Sequence, residues 1–478
     1  MSGLSLLVYL IVSALVYRLG FPLDDAWIHQ TYARNLGQQG EWAFIPGQPS
    51  AGSTSPLWSG LLAISHVLHL GPYVWTYLLG WALLFTIGMV GMRASSLSGS
   101  PTAKPSLWIG IILVFEWHLV WAAGSGMETL LFSLLILLVL VELVSPNPRW
   151  SRLGVFVGLS IWVRPDGLTL VGPVVLMILL NVQGWRKRLR AAGNFTLSAG
   201  VLVACYLTFN LVLSASIWPN TFFAKQAEYA AYQQLAYWQR LLDQLQLPLV
   251  GVGILLLPAF VLGLYHSARR RAWGWLAGAA WLLGYLGLYA FRLPVTYQHG
   301  RYAMPAMIIY FVWSLWRLGD ILRTYHPNQW RRVLWRTWNY SLYLVWALFW
   351  ILGCRSYALD VAFIESEMVD AARWITANTL PGDKVAAHDI GALGYFGERE
   401  LIDLAGLISP EVIPYLRNEE RLAQFLGDRQ ADYLVTFPGW YPKLVQQADQ
   451  IFLTQGRFAP MLGAENMAVY RWNGQAGK

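Results

Sequence analysis

Asp24 and Asp25 stand side by side in Phe21-Pro22-Leu23-Asp24-Asp25-Ala26-Trp27-Ile28-His29, directly after the first apolar stretch of the chain. A group that takes a proton from an attacking hydroxyl must be a carboxylate or a histidine within hydrogen-bond reach of it. A low-dielectric edge lifts a carboxylate towards a useful basicity. The structural alternative is helix capping, which Asp does well, and one of the pair is placed to cap a helix over 26–36. His29 falls four residues after Asp25 and can share its helix face, with Arg34 a further turn on. Their alternatives are a histidine bonded to backbone and an arginine on lipid headgroups.

Other polar residues are spread widely. Lys225, His299 and Arg301 lie at the ends of apolar stretches, where cations could stabilise a phosphate leaving group, arginine in bidentate fashion; snorkelling to headgroups is the alternative. Arg164 and Asp166 flank Pro165, and Glu128 follows the turn Gly124-Ser125-Gly126-Met127. Gly52-Ser53-Thr54-Ser55-Pro56 reads as a cap with proline at the first helical position, although the hydroxyls of Ser53 and Thr54 could line a polar site. His388-Asp389-Ile390-Gly391 follows a short strand and could touch an acceptor, or form a strand-end turn. The chain has no phosphate-binding glycine loop, Cys/His metal spacing, nucleophile elbow or HExxH, so no metal ligands are expected.

These residues must be positioned by a membrane scaffold. The 478 residues are 56% hydrophobic and 13% charged, against roughly a quarter charged in soluble domains. The 26 Trp, 24 Tyr and 20 Phe suit aromatic belts at bilayer interfaces. Stretches of about 20 apolar residues read as spans, and eleven candidates fall near 3–20, 74–92, 106–123, 128–144, 152–164, 168–182, 195–213, 249–266, 273–291, 303–318 and 337–354. The first lacks a basic leader and a small-residue cleavage pattern and reads as a retained helix. Cys205 and Cys354 form no disulfide framework.

From residue 355 onward there are 11 Lys/Arg and 16 Asp/Glu, a net of −5; residues 1–354 hold the other 23 and 10, a net of +13. The basic excess therefore belongs to the membrane part, as topology signals and not as a nucleic-acid surface. Basic loops form at Arg93/Lys104, Arg149/Arg152, Arg186–Arg190, Arg269–Arg271 and Arg317/Arg323/Arg331/Arg332/Arg336. Their alternation places the N-terminus in the cytoplasm, and the 21–73 loop and the tail outside, in a multi-pass protein of the cell membrane. The expected organisation is a multi-spanning domain over 1–354 and a soluble extracytoplasmic α/β domain over 355–478. Helices are expected at 26–36, 57–69, 360–378 and 419–427, those of the first loop amphipathic and in the interface plane. Strands are expected at 384–387, 433–437 and 468–472.

Taken in order, Leu23-Asp24-Asp25-Ala26-Trp27-Ile28, Tyr32-Ala33-Arg34-Asn35-Leu36, Gly52-Ser53-Thr54-Ser55-Pro56-Leu57, Gly126-Met127-Glu128-Thr129, Arg164-Pro165-Asp166-Gly167, Pro219-Asn220-Thr221-Phe222 with Ala224-Lys225, and His388-Asp389-Ile390-Gly391 resemble the GT-C superfamily. These are polytopic glycosyltransferases that use polyprenyl-phosphate sugars. The set resembles the branch near terminal arabinofuranosyltransferases and protein-mannosyltransferase-like enzymes, and the likeness runs over nearly the whole chain. It implies an aspartate base in the first outer loop, Asp24 or Asp25, with Asp24 preferred as the first of the pair. It further implies a polyprenyl-phosphate sugar as donor, an extracytoplasmic glycan, lipid or protein as acceptor, and inversion at the anomeric carbon. Substrate contacts are expected at His29, Arg34, Ser53, Thr54, Glu128, Arg164, Asp166, Asn220, Lys225, His299, Arg301, His388 and Asp389. Where protein-mannosyltransferase relatives carry Asp-Glu this chain has Asp-Asp. No cofactor is implied, since many relatives work without a metal; a divalent cation stays open. A transporter or flippase of lipid-linked sugars is the alternative reading of the same spans and cations.

Overall fold

The structure is a computed structural model that describes residues 1–94, 96, 105–324 and 329–473. Lys104, and the side chains of Arg323 and Arg331, lie outside the described residues. Long apolar sequence satisfies its backbone internally as helix, which is what a bilayer requires. Five helical runs are long and apolar enough to cross one: Gly71–Ala94, Trp185–Ser214, Val252–Arg269, Trp273–Arg292 and Arg332–Asn378. Leu107–Val114 and Trp117–Gly124 pass together as a sixth, bent by 56°. Shorter apolar helices are Ser2–Val16, Thr129–Val144, Trp150–Val163 and Pro165–Asn181. Large apolar side chains such as Leu4, Leu15, Leu197 and Val212 stay exposed on these helices, as lipid-facing positions do. The chain is a multi-pass membrane protein.

The stretch expected as one span at 106–123 is broken at Glu116. Its carboxylate accepts the Leu119 N–H at 3.1 Å and pairs with His118 Nδ1 at 2.8 Å. An N-cap at that point starts a second helix in a new direction.

The helix Asp24–Gln39 begins at Asp24 itself, after an extended Leu23, and neither aspartate bonds to the backbone of its own helix. The expected cap of this helix is thus not formed by either carboxylate. The helix does not lie half-immersed in an interface plane either. Trp27, Gln30, Thr31 and Tyr32 are all fully buried, between the helix Pro56–Val67 and a short tail helix, Gly391–Phe396. Polar side chains on it are answered in place: Gln30 donates to Thr76 Oγ1 at 2.8 Å and pairs with His66 Nε2 at 3.1 Å.

A small antiparallel pair, β1 (Ala43–Ile45) and β2 (Gln48–Pro49), closes the first loop. In the tail, β3 (Lys384–Ala387), β4 (Glu400–Asp403), β5 (Tyr433–Thr436), β6 (Ala448–Leu453) and β7 (Ala468–Trp472) form one sheet in the order β4-β3-β5-β7-β6. The β3–β4 and β3–β5 pairs are parallel; β5–β7 and β6–β7 are antiparallel. Alternate residues point to opposite faces. Ala386, Leu434 and Tyr470 pack on the tail's own Leu422 and Leu426. Val385, Val435 and Val469 join the cluster of the membrane helices. The strands β3, β5 and β7 are therefore buried on both sides, one of them by the membrane part.

The connection is rigid. The helix Gln329–Ile364 crosses position 354 without a break and continues through a π turn, Glu365–Val369. Arg18 Nε donates to Glu365 at 2.6 Å and its Nη2 to Asp370 at 2.8 Å. Glu367, fully buried, accepts from Thr454 Oγ1, from Met467 N–H at 2.9 Å and from Asn466 Nδ2 at 3.1 Å.

Candidate functional site

Two cavities meet at a pair of cations, Lys225 and Arg301, that share one carboxylate. Asp25, in the first turn of its helix, turns Oδ2 towards Lys225 Nζ at 3.0 Å and Arg301 Nη2 at 2.5 Å. Tyr302 Oη accepts from the same two cations at 3.0 Å each. Burial works to raise the pKa of Asp25, but Lys225 and Arg301 together outweigh it and hold the carboxyl far below the usual range. Lys225 moves the other way, kept protonated by Asp25 despite its burial.

Lys225 comes from a short helix, Asn220–Glu228, which Pro219 starts. Arg301 follows a turn in which Gln298, His299 and Gly300 all take left-handed backbone, with φ of 53°, 57° and 66°. Two non-glycine residues in that region cost about 1–3 kcal/mol each. His299 holds the turn: its Nε2 lies 2.7 Å from Asp360 Oδ2, and its ring packs edge-on against Trp117 and Trp121. It faces away from the Asp25 cations.

One cavity is narrow and basic. Its wall carries Arg164, Lys225, Arg292 and Arg301 against Glu128 and Asp166. Arg164 is saturated: it donates to Glu128 at 2.9 Å, to Asp166 at 3.0 and 3.1 Å, and to Tyr289 Oη at 2.9 Å. Arg301 is not. It is 5% exposed, and its Nε and Nη1 have no partner among the described residues. Thr54 lines the same wall.

The second cavity is wide, about 960 Å³, and lies between the membrane part and the tail. Lys225 and Arg301 line it as well as the first, and Asp24, Asp25, Glu228, Asp360, His388 and Asp389 face it with the rings of Trp121, Tyr297 and Trp440. His388 Nδ1 pairs with Tyr441 Oη at 2.7 Å, and its Nε2 lies 3.4 Å from Glu228. Burial lifts Asp389 to about 6, despite His388 beside it.

Asp24 has a different setting from Asp25. Its two oxygens accept the amides of Gly391 at 2.7 Å and Ala392 at 2.8 Å, the first turn of the tail helix. A Cβ on Gly391 would stand 2.0 Å from the Asp24 carbonyl oxygen, so this approach requires glycine. Asp24 is 8% exposed. Burial and the neighbouring Asp389 push its carboxyl up to about 8, against the two amides.

The remaining expected contacts sit behind the cavity walls. His29 is buried, with Nδ1 at 3.0 Å from Ser59 and 3.3 Å from Ser53, and Nε2 at 3.3 Å from Glu128. It thus connects Ser53 to the Glu128–Arg164–Asp166 chain. Arg34 donates to the carbonyls of Tyr395 at 2.7 Å and Gly394 at 3.1 Å, closing the far end of the tail helix. Asn220 donates to the Leu407 carbonyl at 3.3 Å. Neither of these two lines either cavity. Sequence reasoning missed Arg292, Tyr302, Glu228 and Asp360. Arg292 carried a signal, a cation at the end of a span opposite to the basic loops. Among the described residues no three or more His, Cys, Asp or Glu are arranged to hold a metal ion.

A family model described as a domain of unknown function (DUF8728) matches residues 360–470. No curated protein matches the chain. Among solved structures, ArnT from Cupriavidus metallidurans in the apo state superposes with a TM-score of 0.60 at 15% identity, over 99% of this chain and 98% of that one. ArnT bound to undecaprenyl phosphate gives 0.61 at 14%, over 98% and 96%. The chain has the GT-C fold. An oligosaccharyltransferase from Archaeoglobus fulgidus extends the GT-C likeness, with a TM-score of 0.55 at 10% identity, over 91% of this chain and 69% of that one. The GT-C fold covers the tail as well as the membrane helices, so it spans both walls of the wide cavity.

Proposed function

We propose that this chain is a membrane glycosyltransferase that moves a sugar from a polyprenyl-phosphate donor to an acceptor hydroxyl, with inversion, using Asp25 as general base. The observation that carries the reading is the Asp25–Lys225–Arg301 cluster at the junction of a basic and a wide cavity. A donor phosphate in the basic cavity meets Arg301, whose Nε and Nη1 lack partners. The GT-C likeness to an ArnT structure that holds undecaprenyl phosphate supports a lipid-phosphate donor.

The acceptor enters the wide cavity between the membrane part and the tail. Its hydroxyl proton passes to Asp25, and its oxygen forms a bond to the anomeric carbon. The bond from that carbon to the phosphate oxygen breaks on the opposite face. Polyprenyl phosphate leaves with its new negative charge against Lys225 and Arg301. Asp24, with both oxygens on tail amides, is a positioning residue that locks the tail against the base. Arg164, Asp166, Glu128 and His29 brace the basic wall. His388 and Asp389 orient the acceptor; either a hexose or a pentose is compatible with this chemistry.

Eleven spans, a cytoplasmic N-terminus and an extracytoplasmic tail complete the reading, the basic loops supplying the orientation. The test is transfer in membranes from a strain lacking the gene, complemented with wild type or Asp25→Asn. The reading requires that envelope glycans or glycolipids lose a sugar in the deletion, that wild type restores it, and that Asp25→Asn does not. Unchanged glycans in the deletion would overturn it.

A further inference from the structure

The tail sheet meets the wide cavity end-on. β4 and β5 both run parallel to β3. The residues that follow their carboxyl ends line the cavity: His388 and Asp389 after β3, Ala405 after β4, Gly439 and Trp440 after β5. In open α/β sheets, ligands bind in the crevice outside the carboxyl ends of the strands. The tail therefore presents a binding edge of its own to the cavity, beyond closing it.

Aromatic rings stand around this edge. Trp440 is 50% exposed, on the turn Pro438–Trp440, with its ring 5.4 Å from His388. His388 Nε2 reaches across to Glu228 of the membrane part at 3.4 Å. Tyr229 follows Glu228, its ring 5.5 Å from that of Tyr297, and Tyr232, 47% exposed, lines the same cavity. Carboxylates lie among the rings: Glu228, and Asp389, whose Oδ2 is buried without a partner among the described residues. Asp389 stands two residues before Gly391, whose N–H donates to Asp24, so the crevice leads to the aspartate pair. Three classes of molecule carry an acceptor hydroxyl. A lipid chain needs an apolar channel, and this wall carries Asp25, Glu228, Arg301, Asp360 and Arg417. An extended peptide takes main-chain hydrogen bonds from a strand edge, and no residue of the edge strands β4 and β6 lines the cavity. A saccharide has apolar ring faces rimmed by hydroxyls, which rings interleaved with carboxylates match. The volume of about 960 Å³ lies at the upper end for ligand pockets and holds more than one sugar ring.

We propose that the acceptor is an oligosaccharide, stacked on Trp440 and hydrogen-bonded to Asp389, which presents a hydroxyl to the aspartate pair. Its role as acceptor rests on the glycosyl-transfer reading above; its binding requires no donor.

The test uses the full chain in immobilised nanodiscs, without donor. The probe is the oligosaccharides cut from the envelope glycans of the deletion strain, freed of lipid and peptide and tagged with a fluorophore. They are expected to be retarded relative to empty nanodiscs. Trp440→Ala should weaken their binding roughly tenfold or more, as loss of a hot-spot tryptophan does, and Trp440→Phe should weaken it less. Asp389→Ala should weaken it as well, and decides the matter if Trp440→Ala does not fold. Asp25→Asn should still bind them while failing in transfer. Saccharide binding by a wild-type chain that transfers no sugar would sink the transfer reading and uphold the binding site. Transfer without saccharide retention would overturn the proposal and leave the transfer reading standing. Retention of envelope peptides in the saccharides' place, or retention indifferent to the changes at Trp440 and Asp389, would also overturn it.

Discussion

Asp25 and Arg301 meet at 2.5 Å through a single carboxylate oxygen, which Lys225 also reaches at 3.0 Å. A carboxylate held by two cations is ionised but a poor base. A phosphate competing for the same cations would free it. Asp25→Asn is therefore expected to cut transfer by about 10²–10⁴-fold, the usual worth of general-base catalysis. Binding of undecaprenyl phosphate should be kept or tightened, since the competing carboxylate is gone. Transfer at the wild-type rate would remove Asp25 from the mechanism.

Arg301→Lys keeps a charge but loses the fork. With Nε and Nη1 buried and without partners among the described residues, the change should weaken undecaprenyl phosphate roughly tenfold or more, by about 1.5–3 kcal/mol. A lipid-binding titration in detergent measures it. The same substitution at Arg164, which is saturated by Glu128, Asp166 and Tyr289, should lower thermal stability more than affinity.

The pH profile separates the two aspartates. A base acts when ionised, so rate rises with pH up to its pKa and is flat above it. Asp24 stands at about 8, so as base it would give kcat/KM rising about tenfold per unit from roughly pH 6 to pH 8. Asp25 is held well below the carboxylate range, so no limb near pH 8 is expected from it. Initial rates over that window check this, and a limb near 8 that vanished in Asp24→Asn would restore Asp24 as the base.

Gly391→Ala places a methyl 2.0 Å from the Asp24 carbonyl. Overpacking of this kind costs about 1–3 kcal/mol, so the tail should loosen against the membrane part. A lower melting temperature and faster limited proteolysis are expected, with transfer falling in parallel. A variant indistinguishable from wild type in all three would mean that the Asp24 contact does not hold the tail.

Gln298→Gly removes one left-handed non-glycine residue beside Arg301. It should raise stability by about 1 kcal/mol while giving Arg301 more freedom and lowering transfer. Asp360→Asn, which weakens the His299 clamp, should lower both. Thermal unfolding beside the transfer assay distinguishes the two patterns.

Much of this fold is legible from local sequence because apolar length dictates helix. The break at Glu116 was legible as well, since an acid followed by His118 sits inside the 106–123 stretch, yet hydropathy averages over it. In the tail, β3, β5 and β7 stand out as apolar runs. β4 offers only Leu401 and Ile402 between Glu400 and Asp403, and β6 is a largely exposed edge strand with polar Asp449 and Gln450, so neither reads as an apolar run. The pairing of Asp24 with Gly391 and Ala392 joins residues 367 and 368 apart, which no local rule reaches. For the same reason Arg34 and Asn220 read as site residues, although their partners are tail carbonyls.

The helix that Asp24 caps belongs to the last quarter of the chain. Asp25, Lys225, Arg301 and Asp389 likewise come from four distant places in the sequence. The wide cavity has no second wall until the ribosome has finished the tail and the tail has folded onto the membrane helices. On the proposed function, a nascent or truncated chain already inserted in the bilayer is expected to be inert toward a polyprenyl-phosphate sugar. By the same reading, a chain cut anywhere before β3 should span the membrane without consuming donor.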